Sequence, residues 1–336
     1  MGGMKAWVLR KPGPLEGDPL KLERLKLPVP LPGEVLIEVA ACGVCHTDLH
    51  TVEGDIATPV LPIVPGHQVV GRVVEAGTGT KAFKVGDRVG VAWLFATCGQ
   101  CAYCRRGNEN LCAQARFTGL HYNGGYAEYM VARIEFAFKI PKAFDDVHAA
   151  PLLCAGIIGY RALKASGVKA GQRLGLFGFG ASAHITLQIA AHQGAEVYAF
   201  SRSEEHRRHA LALGAKWAGT MEEAAPAPLD GAISFAPAGA VIPAAMEKLD
   251  KGGTLALAGI YVDNIPAMDY EKHLFNEKKL RSVTAFTRED AAGLLRAASR
   301  VPVKTDVEIF AFNDAPLALK MLKESRINGA AVLSMA

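Results

Sequence analysis

The chain has 336 residues, 50% of them hydrophobic and 21% charged, with 37 basic against 33 acidic side chains and a formal net charge of +4. That is the balance of a globular chain with core enough for two domains at the usual ~100–200 residues each. It argues against a nucleic-acid partner, which needs a larger basic footprint than the single run His206-Arg207-Arg208-His209, where no aromatic residue is interleaved. No apolar run approaches the ~18–20 residues of a membrane span. The opening MGGMKAWVLR has neither a charged-then-apolar leader nor an Arg/Ser-rich transit composition, so the expected address is the cytoplasm.

In chain order, residues 6–9 and 34–40 read as strands, the second by its alternation. Pro12, Pro14, Pro19, Pro28, Pro30 and Pro32 exclude helix between them. Residues 69–76 and 88–93 continue the β pattern between glycine turns. Up to about residue 150 the expectation is a compact barrel-like β domain.

Inside that half lies Cys98-Gly-Gln-Cys101-Ala-Tyr-Cys104, with Cys112 eight residues further on. Four thiols this close can surround one ion, and a closed tetrahedron of four thiolates is the usual structural zinc arrangement. A disulfide cluster is the alternative, but a chain of this length does not need such staples. Seven cysteines in all leave Cys42, Cys45 and Cys154 to be placed. Cys42-Gly-Val-Cys45-His46-Thr47-Asp48-Leu49-His50 is crowded with ligand types, and its Cys-x-x-Cys lacks the βαβ setting of a redox pair. His67 falls in a turn, Pro65-Gly66-His67-Gln68. Cys154 sits in an apolar run and could equally be an inert buried thiol.

From about residue 151 strand and helix alternate: strands at 174–177, 196–200, 231–234 and 254–258, helices from 181 through 192, at 204–213 and at 241–249. This spacing predicts a doubly wound parallel sheet. Gly178-x-Gly180-x-x-Ala183, after a strand and opening a helix, fits the dinucleotide fingerprint. Gly178 permits the tight turn, Gly180 a close approach of the pyrophosphate, and Ala183 close helix–strand packing. The next strand ends at Ser201-Arg202, with Arg207 a few residues on, where an acidic residue would select NAD. A hydroxyl and guanidinium groups suit a 2′-phosphate, so NADP(H) is expected over NAD(H). Helix, strand, helix and strand close the chain at 290–299, 307–312, 315–324 and 330–334.

The order Cys45-His-Thr-Asp-Leu-His50, Gly66-His67, the four-Cys loop, Cys154 and Gly178-Phe-Gly-Ala-Ser-Ala183 resembles the zinc-dependent alcohol dehydrogenases of the medium-chain dehydrogenase/reductase superfamily, nearly end to end. The resemblance implies a GroES-like β-barrel catalytic domain, residues 1–151 and 289–336, beside an α/β Rossmann domain, residues 152–288, with the active site in the cleft between. It implies two zinc ions per chain: a catalytic one on Cys45, His67 and Cys154 with an open fourth position, and a structural one on Cys98, Cys101, Cys104 and Cys112. It further implies an alcohol/aldehyde substrate and hydride transfer to or from nicotinamide, with the metal polarising the substrate oxygen. Thr47 would take the alcohol proton, the nicotinamide ribose would pass it on, and His50 would release it to solvent, while Asp48 would orient His67. A homo-oligomer, dimer or tetramer, is implied as well. Cys42 is read as a small core residue.

The chain departs from the family at two places. Gln68 stands for the glutamate of Gly-His-Glu, and Asn328 for an arginine expected on the pyrophosphate. Trp93 or Leu94 should line the substrate pocket. A zinc-free quinone or enoyl reductase of the same superfamily is disfavoured, because it would lack both cysteine sets, and a non-catalytic zinc- and dinucleotide-binding protein is the reading from another class.

Overall fold

The computed structural model describes residues 3–335, and the chain divides into two compact units. The first runs to Cys154 and takes back Thr287–Ser299 and the chain from Thr305 on; the second comprises Ala155–Phe286 and Arg300–Lys304.

The first unit is built on a seven-stranded sheet whose axis is Glu34–Val44. The alternation seen at 34–40 continues to Val44 because this long strand has neighbours on both edges. Gln68–Ala76 lies antiparallel along one edge. Tyr129–Arg133 and Ala330–Ser334 share the other, one for each half of the strand. Arg88–Val91 and Ala137–Lys139 extend the sheet beyond Gln68–Ala76, and Val307–Ala311 flanks Ala330–Ser334 in parallel. The inward faces carry Val35, Ile37, Val39, Val69, Val73 and Val89, all buried. Burying such side chains stabilises by about 1.5–3 kcal/mol each.

Register decides what meets at one end of this sheet. Gly43 pairs with Gln68 and Cys42 with Val69. The antiparallel ladder therefore brings the residue after Val44 and the residue before Gln68 to the same sheet end. Those residues are Cys45 and His67. Beyond Val44 the chain enters the helix His46–Glu53, with Cys45 as its N-cap and Gly54 closing it in the left-handed conformation (φ 95°). This helix was not anticipated: at eight residues it has too few turns to show a period, and a cysteine is an unusual cap. Cys154 arrives by a third route. The 3-10 turn Ala150–Leu153 is wholly buried, and Leu153 packs where Gly90 has no side chain.

The segment that delivers His67 is zipped to residues 123–126. Val64 N–H donates to Asn123 Oδ1, Gly124 N–H to the Val64 carbonyl, Gly125 N–H to that of Gly66, and Tyr126 N–H to that of Pro65, all at 2.7–3.0 Å.

The second unit is a six-stranded parallel sheet in the order Trp217–Gly219, Glu196–Phe200, Arg173–Phe177, Leu229–Ser234, Leu249–Leu257, Lys279–Ser282. Numbered along the chain this order is 3-2-1-4-5-6, the doubly wound dinucleotide arrangement. Its switch point lies between Arg173–Phe177 and Leu229–Ser234, where Gly178 turns. The helices Ala155–Ser166 and Ala181–His192 cross closely, since a Cβ on Gly159 would stand 2.0 Å from Thr186 Oγ1. Gly156 and Gly159 had hidden the first of these helices in the sequence, because glycine lowers propensity even where packing wants it.

Two expected boundaries are corrected. The helix expected at 241–249 is Val241–Glu247, and Leu249 instead opens the strand Leu249–Leu257, pairing with Leu229 before the register shifts to Gly231–Thr254. The strand expected at 88–93 stops at Val91, because the carbonyls of Ala92 and Trp93 turn to accept from the Thr118 hydroxyl and N–H.

Gly66 adopts φ 94°, and a Cβ there would lie 2.4 Å from Tyr126 Cδ1 and 2.8 Å from Tyr126 N. Gly66→Ala is expected to cost about 2–4 kcal/mol through backbone strain and overlap. Thermal or urea unfolding measures it, and a loss under about 0.5 kcal/mol would contradict the packing described.

Candidate active site

Two clusters of ligand-type side chains occur among the described residues. Each holds its donor atoms within 4.8 Å of one another: Cys98, Cys101, Cys104 and Cys112 in one, Cys45, His67 and Cys154 in the other. None of the seven cysteines is in a disulfide.

In the four-Cys loop, Cys98 and Cys112 Sγ lie 3.5 Å apart, Cys101 and Cys104 3.5 Å, and Cys98 and Cys104 3.8 Å. Sulfurs about 2.3 Å from one tetrahedral ion would be about 3.8 Å apart, so these three pairs are already near that spacing. The backbone favours thiolates here. Cys101 N–H donates to Cys98 Sγ, Cys104 N–H to Cys101, and Cys98 and Gln114 N–H to Cys112, at 3.3–3.5 Å. The N–H groups of Gln100 and Cys101 bring the Cys98 pKa down to about 6, whereas burial raises Cys104 to about 11. A buried carboxylate anchors the loop: Glu109 accepts from Arg288 N–H at 3.0 Å and from its Nε at 3.1 Å.

The three-residue cluster is organised by Asp48, 2% exposed. Its Oδ2 accepts Cys45 N–H at 3.0 Å; its Oδ1 accepts Gly66 N–H at 3.1 Å and faces His67 Nδ1 at 3.0 Å. A buried carboxylate costs several kcal/mol in lost hydration, and three hydrogen bonds to charge, each about 1.5–3 kcal/mol, offset that. With Nδ1 donating to Asp48, Nε2 is the nitrogen that can offer a lone pair once its proton is displaced, and it faces Cys45 Sγ at 3.4 Å. Asp48 is thus placed to set the tautomer of His67.

Burial opposes a charged His67, but Asp48 and then Cys45 outweigh it and raise its pKa well above the ordinary value. The hydrogen bond with Cys154, then burial, raises Cys45. Two thiols and an imidazole so crowded hold protons that a cation of suitable size would displace. Two sulfurs, one imidazole nitrogen and no fourth protein donor among the described residues fit zinc in an open site.

Thr47 and His50 lie on the helix His46–Glu53, one turn apart on one face. Thr47 is buried; His50 is half-buried, with Nδ1 2.8 Å from Asp55 Oδ2. Asp55 was not anticipated, though a carboxylate just past the glycine cap was a readable signal. Trp93 approaches the cluster, its ring 6.3 Å from that of His67 and stacked on Phe117 at 4.2 Å. Leu94 is fully buried. Cys42 is buried in the core of the first unit, as expected. Gln68 is buried with its side chain over Gly43, and Asn328 donates its N–H to Glu308 at 2.6 Å.

In the second unit Gly178 has φ 87° and donates its N–H to the Phe200 carbonyl at 2.9 Å. A Cβ on Gly180 would meet nothing within 4 Å, so its outer face is open, while Ala183 is fully buried. Ser201 follows the strand Glu196–Phe200 in a buried position and Arg202 is exposed. Arg207 Nη1 donates to the carbonyls of both Ser201 and Arg202 at 2.9 Å, so part of its guanidinium holds this turn in shape.

Residues 31–142 match the family "Alcohol dehydrogenase GroES-like domain" and residues 183–300 the family "Zinc-binding dehydrogenase". The chain is 48% identical over 335 residues to "Probable alcohol dehydrogenase AdhA" of Mycobacterium tuberculosis, covering 98% of this chain and 97% of that one. Among solved structures it superposes on acetophenone reductase from Geotrichum candidum in complex with NAD, with a TM-score of 0.88, 27% identity, and 99% and 97% of the two chains covered. It also superposes on the CAD of Helicobacter pylori complexed with NADP(H), with a TM-score of 0.87, 25% identity and the same coverage. The chain belongs to the zinc-dependent alcohol dehydrogenases of the medium-chain dehydrogenase/reductase superfamily.

Asp48→Asn is expected to lower zinc affinity at Cys45, His67 and Cys154 by about 10- to 100-fold and to leave the four-Cys loop unaffected. Competition with a chromogenic chelator measures both sites in one titration.

Proposed function

We propose that this protein interconverts alcohols and aldehydes or ketones with NADP(H) in preference to NAD(H), and that it carries two zinc ions per chain. The observation that carries the proposal is the meeting of Cys45, His67 and Cys154 within 4.8 Å. Cys45, His67 and Cys154 would hold the catalytic ion, and Cys98, Cys101, Cys104 and Cys112 the structural one. Bound at the open site, zinc supplies a Lewis acid that polarises the substrate oxygen. The nicotinamide supplies the hydride acceptor or donor.

The remaining work falls to side chains. Asp48 keeps the Nε2 lone pair of His67 aimed at the ion. The Thr47 hydroxyl, buried beside Cys45 in the chain, takes the alcohol proton. His50, one helical turn further out and held at Nδ1 by Asp55, receives it and passes it to solvent. Trp93, stacked on Phe117 beside His67, favours slim or flat substrates.

On the cofactor side, Gly178, Gly180 and Ala183 form the pyrophosphate turn. Ser201 and Arg202 would bind the 2′-phosphate, and Arg207 both holds their turn and adds positive charge. Homo-oligomer formation would give a cover to the exposed apolar side chains of Ile260, Tyr261, Ile265, Tyr270 and Phe275. No helix among the described residues is long and apolar enough to cross a membrane.

Steady-state rates with primary, secondary and aromatic alcohols, each with NAD and NADP, test the assignment alongside metal content. Two zinc ions per chain and faster turnover with NADP are expected. Absence of alcohol-dependent reduction of either cofactor would sink the enzyme reading. Arg202→Ala should raise KM for NADP about 10- to 100-fold, the worth of a charge-assisted hydrogen bond, with KM for NAD little changed. Gln68→Glu places a negative charge next to His67, disfavours an anionic substrate oxygen and so should raise the apparent pKa of the alkaline-going limb of kcat. It should also quicken product release; a pH profile and release rate identical to wild type would show that residue 68 does not tune the site.

A further inference from the structure

Tyr126 lies against the Gly66–His67 turn and takes no part in the mechanism above. It is fully buried, among the largest side chains with essentially no solvent exposure. Its backbone is satisfied, N–H to the Pro65 carbonyl at 3.0 Å and carbonyl from Trp7 N–H at 2.8 Å. Its hydroxyl is not, having no aligned hydrogen-bond partner among the described residues. A buried hydroxyl left unpaired costs about as much as a lost hydrogen bond, and phenylalanine would fill the same space without that penalty.

Asp48 is the carboxylate this phenol meets: it accepts the N–H of Gly66, against which the Tyr126 ring lies, and it acts on the hydroxyl directly. Burial first, then the charge of Asp48, holds the phenol well above its ordinary pKa, so it stays protonated and can donate. An ionised carboxylate offers about four acceptor positions. In Asp48 two on Oδ1 are taken by Gly66 N–H and His67 Nδ1, and one on Oδ2 by Cys45 N–H. One acceptor position is open, and one donor next to it is unused. The ring is also wedged against Gly66, since any Cβ there would overlap Tyr126 Cδ1, so the phenol packs directly on the loop that carries His67.

We infer that Tyr126 is a positioning residue for the catalytic metal site, its hydroxyl donating the fourth hydrogen bond to Asp48 and thereby fixing His67. The inference rests on the reading of Cys45, His67 and Cys154 as a zinc site.

Zinc-loaded wild type and Tyr126→Phe are mixed with excess chromogenic chelator, and metal release is followed in time. Release from Cys45, His67 and Cys154 should quicken about tenfold in the variant, the usual reach of a partner behind a metal ligand. Release from the four-Cys loop should be unchanged and serves as the internal reference. With cobalt in the three-residue site, the visible spectrum should shift in Tyr126→Phe. On an Asp48→Asn background, Tyr126→Phe should add nothing, whereas a role in packing alone would persist there. Equal release rates and equal cobalt spectra overturn the inference, as does a full effect without the Asp48 carboxylate. Wild type that binds no metal at the three-residue site overturns the zinc reading itself, and this inference with it. Should Tyr126→Phe fail to fold, 3-fluorotyrosine at 126 keeps the ring shape and donates more strongly. It should slow release from the three-residue site, and an unchanged rate overturns the inference.

Discussion

The site turns on one buried carboxylate. Asp48 ties together three pieces of chain that sheet register brings to one place: the end of the strand Glu34–Val44, the Gly66–His67 turn, and the first turn of the helix His46–Glu53. Its bond to Cys45 N–H caps that helix, its bond to Gly66 N–H holds the turn, and its bond to His67 sets which nitrogen can act as a ligand. One charge thus carries local structure and site chemistry at once. Removing it would leave donors unmet in a part of the molecule that water does not reach, which is why the cost of burying Asp48 is tolerated.

The two clusters differ in how their geometry is specified. In the four-Cys loop all donors come from fifteen consecutive residues, and backbone N–H groups from the same segment point at the sulfurs. Little else in the fold is needed beyond the tether from Glu109 to Arg288. In the three-residue cluster, sheet register does the work. The pairing of Gly43 with Gln68 sets Cys45 against His67, and a slip of one residue would turn one of them to the opposite face. Cys154 depends in turn on the seat that Leu153 takes over Gly90.

That difference also governs how much could be read before the fold was known. The four-Cys spacing is self-contained, and residues alone indicated a metal. The fingerprint Gly178-x-Gly180-x-x-Ala183 was legible for the same reason, as a contiguous strand–turn–helix. Cys45, His67 and Cys154 were not, since no local pattern distinguishes Cys154 from an inert core thiol; the resemblance named them and the fold brings them together. Asp55 and Tyr126 escaped notice because the groups they meet lie past a helix cap or far along the chain. Among the elements, the helix Ala155–Ser166 was missed because Gly159 serves a close helix crossing rather than propensity, and the strand at Leu249 because its pairing begins ahead of a register shift.

The separation of the ligands along the chain bears on how the molecule is assembled. The four-Cys loop closes a short stretch, so its entropic cost is small and a metal can capture it early, before distant strands have paired. Cys45 and Cys154 stand more than a hundred residues apart, and their meeting requires the central strand, its neighbour and the Ala150–Leu153 turn to be in place. Occupancy of the first centre therefore reports only that the loop exists. A metal held by the second would certify that the surrounding sheet has reached its final register, so that cluster could serve as a site only after its own unit has closed.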